Sequence, residues 1–290
     1  MVSVDCTLVF MDDDYVETPD FDVRMRTDSY VAGQPIHSEK ERIMIDINRM
    51  DIHIYADGAD LNSIRQSKKN PLIKGFTTNP TLMRQAGVTD YEAFAKEALE
   101  IVDGAPLSLE VFSDDFAEME SQAREIAGWG ANVNVKIPVT NTKGESAEKL
   151  VKSLSDDGII CNVTAMFTIP QVEDIVQALN PKCEAIISVF AGRIADTGVD
   201  PMKLMRETVN IAKARPKAKV LWASPREALN IVQANETGCH IITVTPDLLK
   251  KVASFNKDLN QFSLETVKMF YNDAQASGYR LQPSPQKQYA

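Results

Sequence analysis

Between Ile52 and Val244 the chain repeats one unit eight times: a short β-rich run, then an amphipathic stretch of helical period. The strand runs are Ile52–Ala56, Lys74–Thr78, Leu107–Val111, Asn132–Ile137, Ile159–Thr164, Ala185–Phe190, Lys219–Ser224 and His240–Val244. The helical stretches include Tyr91–Val102, Asp115–Ala127, Ala147–Ser155, Ile169–Leu179, Pro201–Ala214, Arg226–Ala234 and Pro246–Ala253. A period of about 20–35 residues suits βα units, and eight of them predict an α/β fold, a (β/α)8 TIM barrel over residues 49–255. The competing architecture, an open doubly wound sheet, normally carries a glycine-rich dinucleotide turn. Neither GxGxxG nor GxxxxGK[ST] occurs.

Two segments lie outside this rhythm. Residues 1–48 alternate apolar and polar positions between acidic turns, which predicts an N-terminal extension with two short strands, a candidate β hairpin. Residues 256–290 predict an extra helix over Asn256–Tyr279, rich in Phe, Leu and Met, and then a Pro- and Gln-rich tail, Leu281–Ala290, expected to be disordered. A barrel already has eight helices, so an added apolar one must pack on its own barrel or on a neighbour's.

Composition narrows the function. A net charge of −10 and a pI near 4.9 argue against nucleic acid or an anionic membrane as partner. Cys6, Cys161, Cys183 and Cys239 show no CxxC spacing and suit reduced thiols in a cytoplasmic protein. With three histidines, His37, His53 and His240, and no HExxH, no metal site is expected. The acidic N-terminal stretch is not a signal peptide, and no apolar run approaches the ~20 residues of a membrane span.

The chemistry centres on Asn132-Val133-Asn134-Val135-Lys136-Ile137-Pro138, a strand with a lysine near its end. An ordinary lysine titrates near 10.4, whereas desolvation removes up to about 3–5 pKa units and makes the amine a nucleophile for carbonyls. The alternative is an amine that snorkels to solvent. Truncating such a strained buried amine, as in Lys136→Ala, is expected to abolish activity and to cost the core little. Alternation along strands places Asn132, Asn134 and Lys136 on one face. The same parity groups His53, Tyr55 and Asp57, then Ser108 and Glu110, Asn162 and Thr164, and Ser188 and Phe190. So many polar groups near the C-terminal ends of different strands suit a barrel active site. Individually, Asp57 and Thr164 also suit helix N-caps.

These residues resemble the transaldolase and fructose-6-phosphate aldolase family, Schiff-base enzymes on a (β/α)8 barrel. The resemblance spans about residues 52–275. It rests on Lys74-Gly75-Phe76-Thr77-Thr78-Asn79-Pro80-Thr81-Leu82, Val135-Lys136-Ile137-Pro138 and Ile187-Ser188-Val189-Phe190-Ala191-Gly192-Arg193-Ile194. It implies Lys136 as the Schiff-base lysine, Asp57 as the acid that handles protons in carbon–carbon cleavage, and Glu110 with Thr164 as the pair holding a catalytic water. It implies Asn79, Asn162 and Ser188 as ligands of the dihydroxyacetone fragment, with Thr77 and Phe190 beside them. Arg193 resembles the main phosphate arginine, and Ser224 with Arg226 a second clamp, reinforced by the helix N-terminus after the seventh strand. Read alone, Arg193 and Arg226 each better suit a surface ion pair with Asp196 or Glu227. Aldolase members resemble one another in carrying Gln where Glu110 stands and Tyr where Phe190 stands, so the likeness favours dihydroxyacetone transfer between sugar phosphates. Aldol cleavage is the alternative, and a catalytically silent scaffold the second function class. No cofactor is implied. The apolar C-terminal helix resembles one that small members pack across subunits, which implies a homo-oligomer, a pentamer or decamer.

Overall fold

A computed structural model describes residues 44–281. The expected N-terminal hairpin, and the tail beyond Leu281, lie outside the described residues.

After a 3-10 turn at Ile47–Arg49 come β1 (His53–Asp57), α1 (Leu61–Lys68), β2 (Ile73–Thr77), α2 (Pro80–Gln85), α3 (Tyr91–Val102) and β3 (Leu107–Glu110). Next are α4 (Phe116–Ala127), β4 (Val133–Pro138), α5 (Glu148–Asp156), β5 (Cys161–Met166), α6 (Ile169–Ala178) and β6 (Ala185–Val189). The chain continues through α7 (Ala191–Asp196), α8 (Met202–Ala212), β7 (Ala218–Trp222), α9 (Leu229–Glu236), β8 (Ile241–Val244), α10 (Pro246–Lys250) and α11 (Leu259–Ser277). The eight strands pair in parallel, in sequence order, and β8 closes on β1: the (β/α)8 barrel.

Local chemistry sets many of the boundaries. Asp60, Asn79, Asp90, Asp115 and Asp258 each accept a backbone N–H from the first turn of the helix they precede, and Thr168 with Gln171 forms a capping box on α6. Asp60 therefore caps α1 and Thr168 caps α6. Neither Asp57 nor Thr164 is needed as a cap, and both are left at the strand ends.

Alternation sorts the strands into two apolar layers. Outward side chains such as Leu109, Val135, Ile137, Val163, Ile187, Val220 and Trp222 meet the helices in the main core. Inward ones, Tyr55, Ile186, Leu221, Ala223 and Ile241, fill the barrel itself. The Tyr55 ring lies across Gly75 of β2, where an added Cβ would stand 2.5–2.7 Å from ring atoms. A glycine at that position lets the barrel close around a tyrosine. Its phenol is pushed up to about 12, by burial first and then by the Glu184 charge. The apolar filling ends below the C-terminal rim, and the polar inward positions lie above it.

The last helix, α11, buries no residue. Leu259, Phe262, Leu264, Val267, Met269, Phe270 and Tyr271 are all exposed. Among the described residues no helix is long and apolar enough to cross a membrane.

Candidate active site

At the C-terminal end of β4, Lys136 is 7% exposed. Pairing sets Glu110 of β3 on one side of it and Asn162 of β5 on the other. Its Nζ donates to the Thr78 carbonyl at 2.7 Å and lies 2.8 Å from Glu110 Oε2. The amine is thus aimed across the rim instead of snorkelling outward. Buried pairs of this kind persist only when the partners' geometry compensates for lost hydration.

Asp57 faces the same space from β1. The Thr77 hydroxyl donates to Asp57 Oδ1 at 2.7 Å. Because that hydroxyl has one proton, its contact with Thr243 is donated by Thr243. The Asp57 carboxyl is pushed above the ordinary carboxylate range by burial. The Thr77 bond and the Lys136 charge pull it back, and Glu110 adds to the rise. A carboxyl so placed, facing the amine across the rim, is positioned to take and return a proton.

Deeper in the barrel, Ser188 Oγ donates to Asn162 Oδ1 at 2.6 Å, and Asn162 Nδ2 donates to Ser108 Oγ at 3.0 Å. This chain fixes the amide orientation and ties β3, β5 and β6 together under the amine. On β5 the register shifts between Val163 and Met166, where Ala165 adopts φ 61°. A non-glycine residue in that region costs about 1 kcal/mol or more, and such bulges re-aim neighbouring side chains; here the neighbour is Thr164.

The cavity over the amine encloses about 280 Å³. Asp57, Thr77, Asn79, Lys136, Asn162, Thr164, Ser188, Phe190, Arg193 and Ser224 line it, ten of the twelve residues singled out from sequence. Glu110 and Arg226 are not among its walls. Glu110 reaches the site through Lys136. The Arg226 guanidinium instead grips Asp196, with Nε 3.0 Å from each carboxylate oxygen and a further contact through Nη2. Of the two readings open for Arg226, the ion pair is the one this structure adopts. Its backbone N–H and that of Glu227 both donate to Asn230 Oδ1, so the turn ahead of α9 already has an acceptor at hand. Arg193 stays at the mouth, 5.7 Å over the Phe190 ring, which tilts against Phe167.

Sequence parity also grouped His53 and Asn132 with the inward set. His53 is exposed at the opposite end of β1, and the Asn132 amide bonds the Ala105 carbonyl at 2.7 Å. Conversely, Thr81, Gln85 and Thr243 line the cavity and were not singled out. Thr243 was within reach, since it alternates inward with Ile241. The Thr78 carbonyl was not, because a backbone acceptor leaves no trace in residue type.

The model of the Transaldolase/Fructose-6-phosphate aldolase family matches residues 54–283. The chain belongs to that family. Curated relatives agree. A "Probable transaldolase" from Roseiflexus castenholzii is 42% identical over 195 residues, 66% of this chain and 85% of the relative. Proteins of the same description from Dehalococcoides mccartyi and Nitrosopumilus maritimus are each 36% identical over 202 residues, 69% of this chain and 90% and 86% of the relatives. The family match takes in every strand from the second residue of β1 onward and ends beyond α11, so all twelve candidate residues fall inside it.

Proposed function

We propose that this member of the family is a transaldolase, which moves a dihydroxyacetone unit from a ketose phosphate to an aldose phosphate through a Schiff base on Lys136. The observation that carries the reading is the buried Lys136 amine, held between Glu110 and the Thr78 carbonyl and opening on a cavity shared with Asp57.

Proton transfer from Nζ to Glu110 frees the lone pair, which attacks the C2 carbonyl. Loss of water gives an iminium, an electron sink. Asp57 then takes the proton of the C4 hydroxyl, the C3–C4 bond breaks, and its electrons move onto the fragment as an enamine. The aldose phosphate leaves, and a second aldehyde is attacked by the retained enamine. Thr77 orients the Asp57 carboxylate. Asn162 and Ser188 keep unused donor and acceptor capacity for fragment hydroxyls, and Asn79, whose Oδ1 caps α2, keeps its amide N–H groups. Thr164, beside Lys136, and Glu110 hold the water that enters and leaves. Arg193 and Ser224 take the phosphate, joined by Arg226 once it leaves Asp196.

Transfer is favoured over aldol cleavage by Phe190. Its ring offers no proton to the enamine and packs on Phe167 and Arg193. The exposed apolar residues of α11 support assembly into a homo-oligomer. Borohydride reduction with fructose 6-phosphate, followed by peptide mass mapping, tests the Schiff base. An adduct on Lys136 is expected, and no adduct on any lysine would leave a silent barrel. Dihydroxyacetone release that does not fall when erythrose 4-phosphate is added would turn the assignment to aldolase.

A further inference from the structure

The Lys136–Glu110 pair joins two separate cavities. Lys136 lines the one in the barrel mouth; Glu110 lines a second, of about 410 Å³, on the other side of α2. The short helix is the partition. Asn79, Thr81, Leu82 and Gln85 face the barrel cavity, while Pro80, Met83 and Arg84 face the second. Gly87, Val88, Thr89, Tyr91 and Phe112 complete its wall, with Phe112 67% exposed and edge-on to Tyr91. Tyr91, itself part of that wall, donates its hydroxyl to the Glu110 carbonyl at 3.0 Å. The Glu110 side chain is 17% exposed although it does not border the barrel cavity.

A sugar bound over Lys136 fills the barrel mouth, yet an iminium can be formed and undone only if water leaves and enters. We infer that the cavity behind α2 is a separate water and proton port to the Glu110 carboxylate, open while the barrel mouth is occupied. In the hydrolytic direction a water arriving there bonds through oxygen to the iminium carbon. The C=N π electrons return to the Lys136 nitrogen, and one water proton passes to Glu110, giving the neutral carbinolamine. In the forward direction the same water departs by the same route. The cavity holds many times the ~30 Å³ share of one water and borders both apolar and charged groups, which suits passage over retention. This inference rests on the transaldolase reading.

A port alters rates in both directions and leaves the equilibrium alone, and that sets the experiment. The full-length protein is incubated with fructose 6-phosphate in 18O-water. Two quantities are followed: enzyme-dependent entry of label into the C2 carbonyl, and the fraction of Lys136 trapped by borohydride at equilibrium. Thr89→Trp, which fills the port, is expected to slow label entry at least fivefold with the trapped fraction unchanged. Met83→Phe fills it from the α2 side and serves as the second variant if Thr89→Trp does not fold. Phe112→Ala, which widens the mouth, is expected to exchange no more slowly than the unaltered protein. Label entry at the unaltered rate in the filled variants overturns the port, as does a trapped fraction that falls in step with the rate, since that would report a distorted site. No adduct and no exchange in the unaltered protein would instead remove the transaldolase reading, and the port with it.

Discussion

Replacing Lys136 by methionine keeps most of the side-chain volume and deletes the charge. Two groups then lose a partner: the Glu110 carboxylate at 2.8 Å and the Thr78 carbonyl at 2.7 Å. Truncating one member of a buried ion pair costs about 3–5 kcal/mol, mostly through the uncompensated charge left behind. Glu110 is 17% exposed and so keeps some access to water, which places the expected loss at the low end, near 3 kcal/mol. Adding Glu110→Gln removes the stranded charge. The double variant should lose only about 1 kcal/mol, the cost of an imperfectly bonded amide. The second substitution is therefore expected to restore about 2 kcal/mol, a readable part of a total stability of about 5–15 kcal/mol. Urea unfolding at one fixed protein concentration gives the comparison, since any assembly adds concentration-dependent stability. A double variant within about 0.5 kcal/mol of the single one would refute the reasoning, because independent sites add to that accuracy. The sequence suggested that truncating this amine would cost the core little; the Glu110 contact reverses that expectation for the single substitution. Both variants should form no borohydride-trapped adduct.

Asp57→Asn should retain the Lys136 adduct with fructose 6-phosphate while slowing carbon–carbon cleavage by about 10²–10⁴-fold, measured as erythrose 4-phosphate release after rapid mixing. Burial raises the Asp57 carboxyl, so its stabilising contribution is full below the ordinary carboxylate pKa and lost as pH climbs through the raised one. The stability of Asp57→Asn relative to the unaltered protein should therefore rise with pH across that window, and a flat difference would contradict it. Asp196 is held below its usual value first by the hydrogen bonds from Arg226, with the Arg226 and Arg193 charges adding to the effect. Asp196→Asn should release Arg226 and lower the inhibition constant of inorganic phosphate about threefold to tenfold. Arg193→Ala should raise KM for phosphorylated acceptors and leave unphosphorylated ones nearly unchanged. Gly192→Ala would put a Cβ 1.6 Å from the Ser224 carbonyl oxygen, forcing α7 away from the loop after β7, and should cost about 3 kcal/mol or more by thermal or urea unfolding. Gly58→Ala, with nothing within 4 Å, is the matched control.

The barrel was legible because its signal is redundant. Eight alternating or apolar runs give the strands to within one or two residues: β1 begins at His53 rather than Ile52, and β5 at Cys161 rather than Ile159. Long helices announce themselves by period, and α3 falls on the expected Tyr91–Val102. The helices that left no period are α2 and α7, six residues each. Both begin inside stretches that carried the family likeness, and six residues make fewer than two turns, too short for an apolar stripe to repeat even though Ala191 and Ile194 of α7 are buried in the core. Inward parity gathered Asp57, Glu110, Lys136, Asn162, Thr164 and Ser188 without any structure. It failed at His53 and Asn132 because alternation identifies a face and says nothing of depth along the barrel axis.

Arg226 shows a second boundary of such reading. Residue type marked it as a cation within reach of an anion, and the candidates, a substrate phosphate, Asp196 and Glu227, were visible from the outset. Residue type does not say which of them it holds. In the unliganded chain Asp196 is one helical turn from Arg193 and accepts both Nε and Nη2 of Arg226, so a carboxylate sits among the cations that a phosphate dianion would use. On the proposed reading, binding phosphate would mean exchanging one anion for another, not filling an unpaired pocket. That exchange would lower affinity for a phosphate ester while sparing the unliganded mouth an uncompensated Arg226 charge. Its strength is set by Asp196, a residue that need never touch the substrate, which is why Asp196→Asn and Arg193→Ala should move phosphate affinity in opposite directions.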